Sequence, residues 1–307
     1  LFFWGSDTGV LKKLSFMNLI PEKTIKFMEM RKPAFMISAV LFIGSLLIMG
    51  TKRESALGID FLGGSIVNIQ LQEGQELSEA TVKEAISDLS LEKNPTIQLE
   101  QPVGAAGDLI SVKCSTDDLQ KVEDELRSDI GILGEKDAEG NYVIALDDET
   151  ISASLGGEFL KNSLYALGLG LLAVLIYISL RFEFSFAVGA FAALFHDIVI
   201  CIGVVILFGT ELSLIHVGAF LTIAGYSIND TIVVFDRMRE TLRSKRGDVA
   251  QVMNLAINAT LSRTILTSVT TFVAVLVLWI FGGSALKDFS FAIMIGVVIG
   301  TCSSIFI

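Results

Sequence analysis

The chain has 307 residues, 52% of them hydrophobic, with only 4 prolines and a mean hydropathy of +0.64. That excludes an ordinary soluble domain. The net charge of −11 hides a split: segment 51–160 holds 8 Lys/Arg and 23 Asp/Glu, a net of 8 − 23 = −15, so the remainder carries +4.

Apolar runs of spanning length recur at 33–50, 163–180, 184–208, 212–235, 264–283 and 289–307, each with roughly the 17–25 residues a membrane helix needs. The chain is therefore read as a polytopic α-helical membrane protein with six transmembrane helices. Residues 1–32 precede the first span and hold Lys12, Lys13, Lys23, Lys26, Arg31 and Lys32. They are read as a cytoplasmic leader or linker, or an interfacial helix, with the opening apolar residues a candidate tail of an upstream span. The chain starts without a methionine and stops inside its last span, which suggests a piece of a longer polypeptide. No cleavable signal peptide is expected, because "TKRES" follows the first span.

Segment 51–160 alternates between strand and helix patterns. "SIVNIQL" (65–71), "TIQLE" (96–100), "DLISVKC" (108–114) and "NYVIAL" (141–146) read as strands. "SEATVKEAISDLS" (78–90) and "STDDLQKVEDELRSDI" (115–130) read as helices with Ser/Thr/Asp starts. The order β-α-β-β-α-β predicts an inserted ferredoxin-like α+β domain. A hinge-like "SASLGGEF" (152–159) leads into span two. The three cysteines offer no disulfide framework, and no cluster of metal ligands or phosphate-binding loop is present. No cofactor, metal, nucleic acid or enzymatic chemistry is expected.

Basic residues set the expected orientation. Arg181 lies between spans two and three, and the loop 236–263 between spans four and five holds Arg237, Arg239, Arg243, Lys245 and Arg246. The opposite connections hold only Lys287. Positive-inside then places both ends in the cytoplasm and 51–160 outside.

An ionisable side chain inside a span costs at least a few kcal/mol and marks a pathway or a buried pair. Asp230, beside Asn229 and Ser227, lies in span four, and Arg263 lies at the start of span five. Asp230 is 18 residues after Leu212 and Arg263 is 18 before Phe281, about 27 Å along each helix. The two are expected at one depth, as a functional pair or a static one, unless Arg263 snorkels to the headgroups. Asp230 could exchange protons or bind a cation or substrate, and the lack of several clustered carboxylates favours protons. His196 and Asp197 in span three read as a buried hydrogen-bonded pair or a proton relay. His216 reads as interfacial. Asp236, Arg237, Arg239 and Glu240 read as the cytoplasmic boundary of span four, and Gly296 and Gly300 as a close-packing pair.

Four spaced motifs also carry a family resemblance: "GIDFLGGS" (58–65), "FHDIVI" (195–200), "GYSINDTIVVFDRMRE" (225–240) and "LSRTILTSVTT" (261–271). Together they resemble the SecF family of the bacterial Sec translocon. The resemblance implies half of an RND-type fold in the bacterial cytoplasmic membrane and an accessory role in protein export driven by the proton motive force. It implies membrane lipid as surroundings and, as partners, SecD (fused upstream or separate), the SecYEG channel and the emerging preprotein. It makes Asp230 and Arg263 the family's intramembrane pair, and Asp60, Phe61, Gly63 and Gly64 its domain-coupling element. An RND-type small-molecule or lipid exporter and a non-motor assembly factor of the translocon are the alternatives.

Overall fold

The computed structural model describes residues 25–52, 56–71, 77–87, 89, 91, 95–100, 109–137, 139–182, 184–244 and 248–306. The expected upstream-span tail, Lys12, Lys13, Lys23, Lys245 and Arg246 lie outside these.

The first helix, α1, runs Arg31–Thr51. A single turn, α2 (Ile59–Leu62), follows and opens into β1 (Gly64–Gln70). The inserted domain continues with α3 (Glu79–Ala85), β2 (Thr96–Glu100), β3 (Leu109–Cys114), α4 (Leu119–Asp129), a single turn α5 (Gly131–Gly134) and β4 (Leu146–Ile151). Ser78 caps α3 by accepting from the Thr81 N–H at 3.1 Å, as its position before the apolar repeat predicts.

All strand pairs are antiparallel, in the order β2-β3-β1-β4. Register places Val67 opposite Val112 and Ile69 opposite Ile110, and all four are fully buried with Val122 and Leu126 of α4. On the opposite face Ser111 Oγ donates to Asn68 at 2.7 Å.

The last strand is a correction. "NYVIAL" (141–146) has strand-like residues, but the strand starts only at Leu146 and runs through the acidic "LDDETI". Ile144 is drawn into the core, and Tyr142 lies 3.7 Å under the Arg127 guanidinium instead of pairing in the sheet. Hydrophobicity misleads here because β4 is an edge strand whose middle faces solvent, where charge blocks further pairing.

The remaining helices are α6 (Ala153–Arg181), α7 (Phe184–Leu207), α8 (Leu214–Ser244), α9 (Val249–Phe281) and α10 (Ser284–Phe306). Among the described residues, six helices are long and apolar enough to cross a membrane: α1 and α6 to α10. Two further expectations change. The hinge-like 152–159 is helical from Ala153, because Ser152 accepts from the Leu155 N–H and starts α6 early. The 236–263 loop is mostly helix, since α8 continues to Ser244 and α9 begins at Val249. Charged residues one turn apart, such as Arg237 and Glu240, allow α8 to run on beyond its apolar part.

α8 sits at the centre of the bundle, packed most extensively on α10 and α9 and also on α6 and α7. Gly296 and Gly300 of α10 make close contact with Ile223 and Ser227 of α8, so the small-residue spacing serves close packing.

Candidate functional site

The buried polar groups of the bundle gather around α8. Asp197 of α7 is fully buried. Its Oδ2 accepts from Ser227 Oγ of α8 at 2.7 Å and from Ser303 Oγ of α10 at 2.6 Å. Its Oδ1 lies 3.0 Å from His196 Nδ1, and His196 Nε2 lies 2.6 Å from Ser38 Oγ of α1. The His196 ring stacks on Phe42, with centroids 5.8 Å apart and planes 6° from parallel. One carboxylate and one imidazole thus tie four helices together: α1, α7, α8 and α10. Sequence reasoning found His196 and Asp197 but missed Ser38 and Ser303. A hydroxyl in a span ordinarily bonds its own helix carbonyl, so neither stood out.

Asp230 lies three residues beyond Ser227, about one turn further along α8. It is 3% exposed, and its Oδ2 has no hydrogen-bond partner among the described residues. Thr264 of the neighbouring α9 is likewise buried, its hydroxyl unpartnered among the described residues. A second polar line runs beside these, from Tyr226 OH to Ser268 Oγ at 3.0 Å and on to Thr301 Oγ1 at 2.7 Å.

Two expected partners make no hydrogen bond or ion pair with Asp230, although the Arg263 charge is near enough to act on it. Arg263 forms no ion pair with it within 4 Å and is exposed on the bundle surface. Residues 263 and 264 point about 100° apart on a helix, so burying Thr264 turns Arg263 outward. Asn229 is exposed for the same reason, one position away from buried Asp230. The helix period thus separates neighbours that look contiguous in sequence.

The residues expected to couple the domain form a joint at the opposite end of α8. Asp60 Oδ2 accepts from the Leu214 N–H at 2.9 Å, satisfying a backbone donor in the first turn of α8. The chain before it pairs with the approach to α8: Gly58 N donates to Leu212 O and Leu212 N donates to Ala56 O, each at 2.8 Å. Lys113, on the face of β3 away from the domain core, reaches Glu211 at 3.7 Å. Phe61 is buried, and Gly63 has φ +79°, a conformation that favours glycine. A Cβ at Gly63 would stand 2.6 Å from Ala153 Cα, and one at Gly156 would stand 2.8 Å from Gly63 N. Backbone therefore packs on backbone where α2 meets the start of α6. His216 is also part of this joint, fully buried, with Nδ1 accepting from the Ser213 N–H at 3.1 Å.

The residues expected at the cytoplasmic boundary lie toward the far end of α8. Asp236 pairs with Arg181 at the end of α6 at 3.5 Å, Arg237 pairs with Glu240 at 2.5 Å, and Arg239 is exposed.

Residues 135–307 match the family model described as protein export membrane protein SecD/SecF, C-terminal. A protein translocase subunit SecF from Desulfurispirillum indicum is 38% identical over 300 residues, covering 92% of this chain and 89% of that protein. The crystal structure of SecDF from Thermus thermophilus, described as a translocon-associated membrane protein, superposes with a TM-score of 0.79 at 29% identity. That alignment covers 99% of this chain and 40% of the SecDF chain, so the present chain spans well under half of that longer relative. SecDF in a super-membrane-facing form gives a TM-score of 0.65 at 30% identity, covering 98% of this chain and 40% of that one. With a buried carboxylate on its central helix and a domain joint at the end of that helix, the chain belongs to the SecF family of protein translocase subunits.

Proposed function

We propose that this chain assists protein export as an accessory subunit of the bacterial Sec translocon, using protons that reach Asp230. The observation that carries the reading is the placement of Asp230. It is a buried carboxylate with an unpartnered oxygen, 16 residues along a helix whose first turn is capped by the inserted domain's own Asp60. A stiff helix about 24 Å long links the two points. The relatives' printed name, protein translocase subunit, favours export over small-molecule efflux.

In this scheme a proton neutralises Asp230 and removes the cost of a lone charge inside the bundle. The position of α8 changes against α9 and α10, and the Asp60, Glu211 and Lys113 contacts pass the displacement to the sheet. Arg263 acts from the exposed face of α9, as a through-space charge or toward a second membrane half, and not as a contact partner. The His196–Asp197 network holds the frame against which α8 moves and is the candidate relay. The inserted domain is assigned to the ferredoxin-like class, supported by the strand order β2-β3-β1-β4. Lys/Arg placement supports cytoplasmic ends and an outward-facing inserted domain. SecD, the SecYEG channel and the preprotein are the partners this role requires.

The test is Asp230→Asn in cells that depend on this protein. Proton-driven stimulation of export is expected to be lost while the protein still accumulates. Export at the wild-type level would leave a non-motor assembly role in its place.

A further inference from the structure

A cavity of about 490 Å³ lies where the α6–α7 turn meets the last turns of α8. Three arginines line it: Arg181 from α6, and Arg239 and Arg243 one turn apart on α8. Arg181 shares Asp236 at 3.5 Å. Among the described residues, Arg239 and Arg243 have no carboxylate within ion-pair distance, and both are exposed. Counting Asp236, the described residues of the site hold 3 − 1 = 2 surplus positive charges.

Below the arginines the wall is aromatic. Phe235 meets Phe182 and Phe186 edge-on, with centroids 6.1 and 5.0 Å apart. Phe182 follows the last residue of α6 and Phe235 ends the apolar part of α8, so on the membrane-spanning reading the cavity lies at the boundary between the apolar layer and water.

This pairing of groups narrows the ligand. Guanidinium forks match phosphate oxygens in charge and geometry. A free phosphate would make no use of the phenyl wall, and a neutral apolar ligand would make no use of the arginines. A basic pocket between membrane helices over an apolar wall suits a lipid headgroup. We propose that this cavity binds the headgroup phosphate of an anionic phospholipid, with an acyl chain lying along Phe182, Phe186 and Phe235. The site rests on the membrane-spanning reading of α6, α7 and α8, and its readout is independent of export, so the two can fail separately.

Native mass spectrometry of the purified full chain, incubated in detergent with equal amounts of phosphatidylglycerol and phosphatidylcholine, measures which lipid is retained. Phosphatidylglycerol is expected to be favoured about tenfold or more, and R239Q/R243Q to lose roughly fivefold for each arginine. Phosphatidylcholine retention should be unchanged. The single variants, each losing about fivefold, serve if the double variant does not fold. Equal retention of the two lipids, or an undiminished preference in the folded variants, would overturn the proposal. So would displacement by millimolar inorganic phosphate alone, which would identify a free phosphate as the ligand.

Discussion

The carboxylate of Asp60 reaches a helix 154 residues away in sequence, where its Oδ2 accepts from the Leu214 N–H at 2.9 Å. A side chain just after the first span therefore caps the helix that carries Asp230. Asp60→Ala removes the acceptor, whereas Asp60→Asn keeps an oxygen in place. The alanine variant is expected to lose about 1 kcal/mol of stability and the asparagine variant a fraction of that. Amide hydrogen exchange should show the first turn of α8 opening in Asp60→Ala while its middle remains protected. Unchanged exchange at Leu214 would mean that the cap does not hold this end of the helix.

The joint between α2 and α6 depends on two glycines. At Gly156 a Cβ would stand 2.8 Å from Gly63 N and 2.9 Å from Phe61 O, both backbone atoms that cannot rotate away. Gly156→Ala is expected to cost about 1–3 kcal/mol through overpacking. Gly157 has nothing within 4 Å of the same added atom, so Gly157→Ala should be neutral or slightly stabilising in its helix. Thermal unfolding of the two variants in detergent separates them. Equal behaviour would show that the close approach has no energetic weight.

Much of the scaffold was legible in the sequence because its period is strong. Hydropathy located the spans, and alternation located β1, β2 and β3. The misreadings share one cause, which is that a one-dimensional pattern does not show what lies opposite. β4 is acidic because it is an edge, while "NYVI" is apolar because Ile144 fills the core from a non-strand segment. Counting residues sets Asp230 and Arg263 level but does not show that Asp230 is buried while Arg263 is exposed, nor that Asn229 is exposed beside Asp230. Ser38 and Ser303 become informative only once α1 and α10 are placed around Asp197.

The inserted domain carries a pH-dependent term at Glu123 on α4. Burial, followed by the Asp148 carboxylate on β4, raises its carboxyl above the ordinary range, with Arg127 opposing. A carboxyl whose folded value exceeds its unfolded value binds its proton more readily when folded. It therefore favours the fold at low pH, and that contribution is lost as pH rises through the folded value. At pH 7 the ionised Glu123 is a cost that Glu123→Gln removes. The variant should melt slightly higher than wild type at pH 7, by less than about 1 kcal/mol because the group is partly solvated. Well below the ordinary value of 4.5 the two should coincide. A gap that persists in acid would show that the gain comes from packing and not from charge.

Asp197 and Asp230 are both buried carboxylates on central helices, but they should respond differently to removal. Asp197 accepts from two serine hydroxyls on two other helices and lies 3.0 Å from His196 Nδ1. Asp197→Ala leaves those groups without an acceptor and opens a void where α7, α8 and α10 meet. Single interhelical hydrogen bonds in membranes average about 0.6 kcal/mol, so Ser303→Ala alone should cost roughly that much. Asp197→Ala should cost about 2 kcal/mol or more, because several buried polar groups are orphaned together. Asp230 Oδ2 has no hydrogen-bond partner among the described residues and Asn removes a buried charge, so Asp230→Asn should be at least as stable as wild type. Detergent-solubilised unfolding combined with an export assay places the variants on two axes. Asp197→Ala should lose stability and activity together, while Asp230→Asn should lose activity alone. If Asp230→Asn instead unfolds the chain, the carboxylate is part of the frame and the proton site must lie elsewhere.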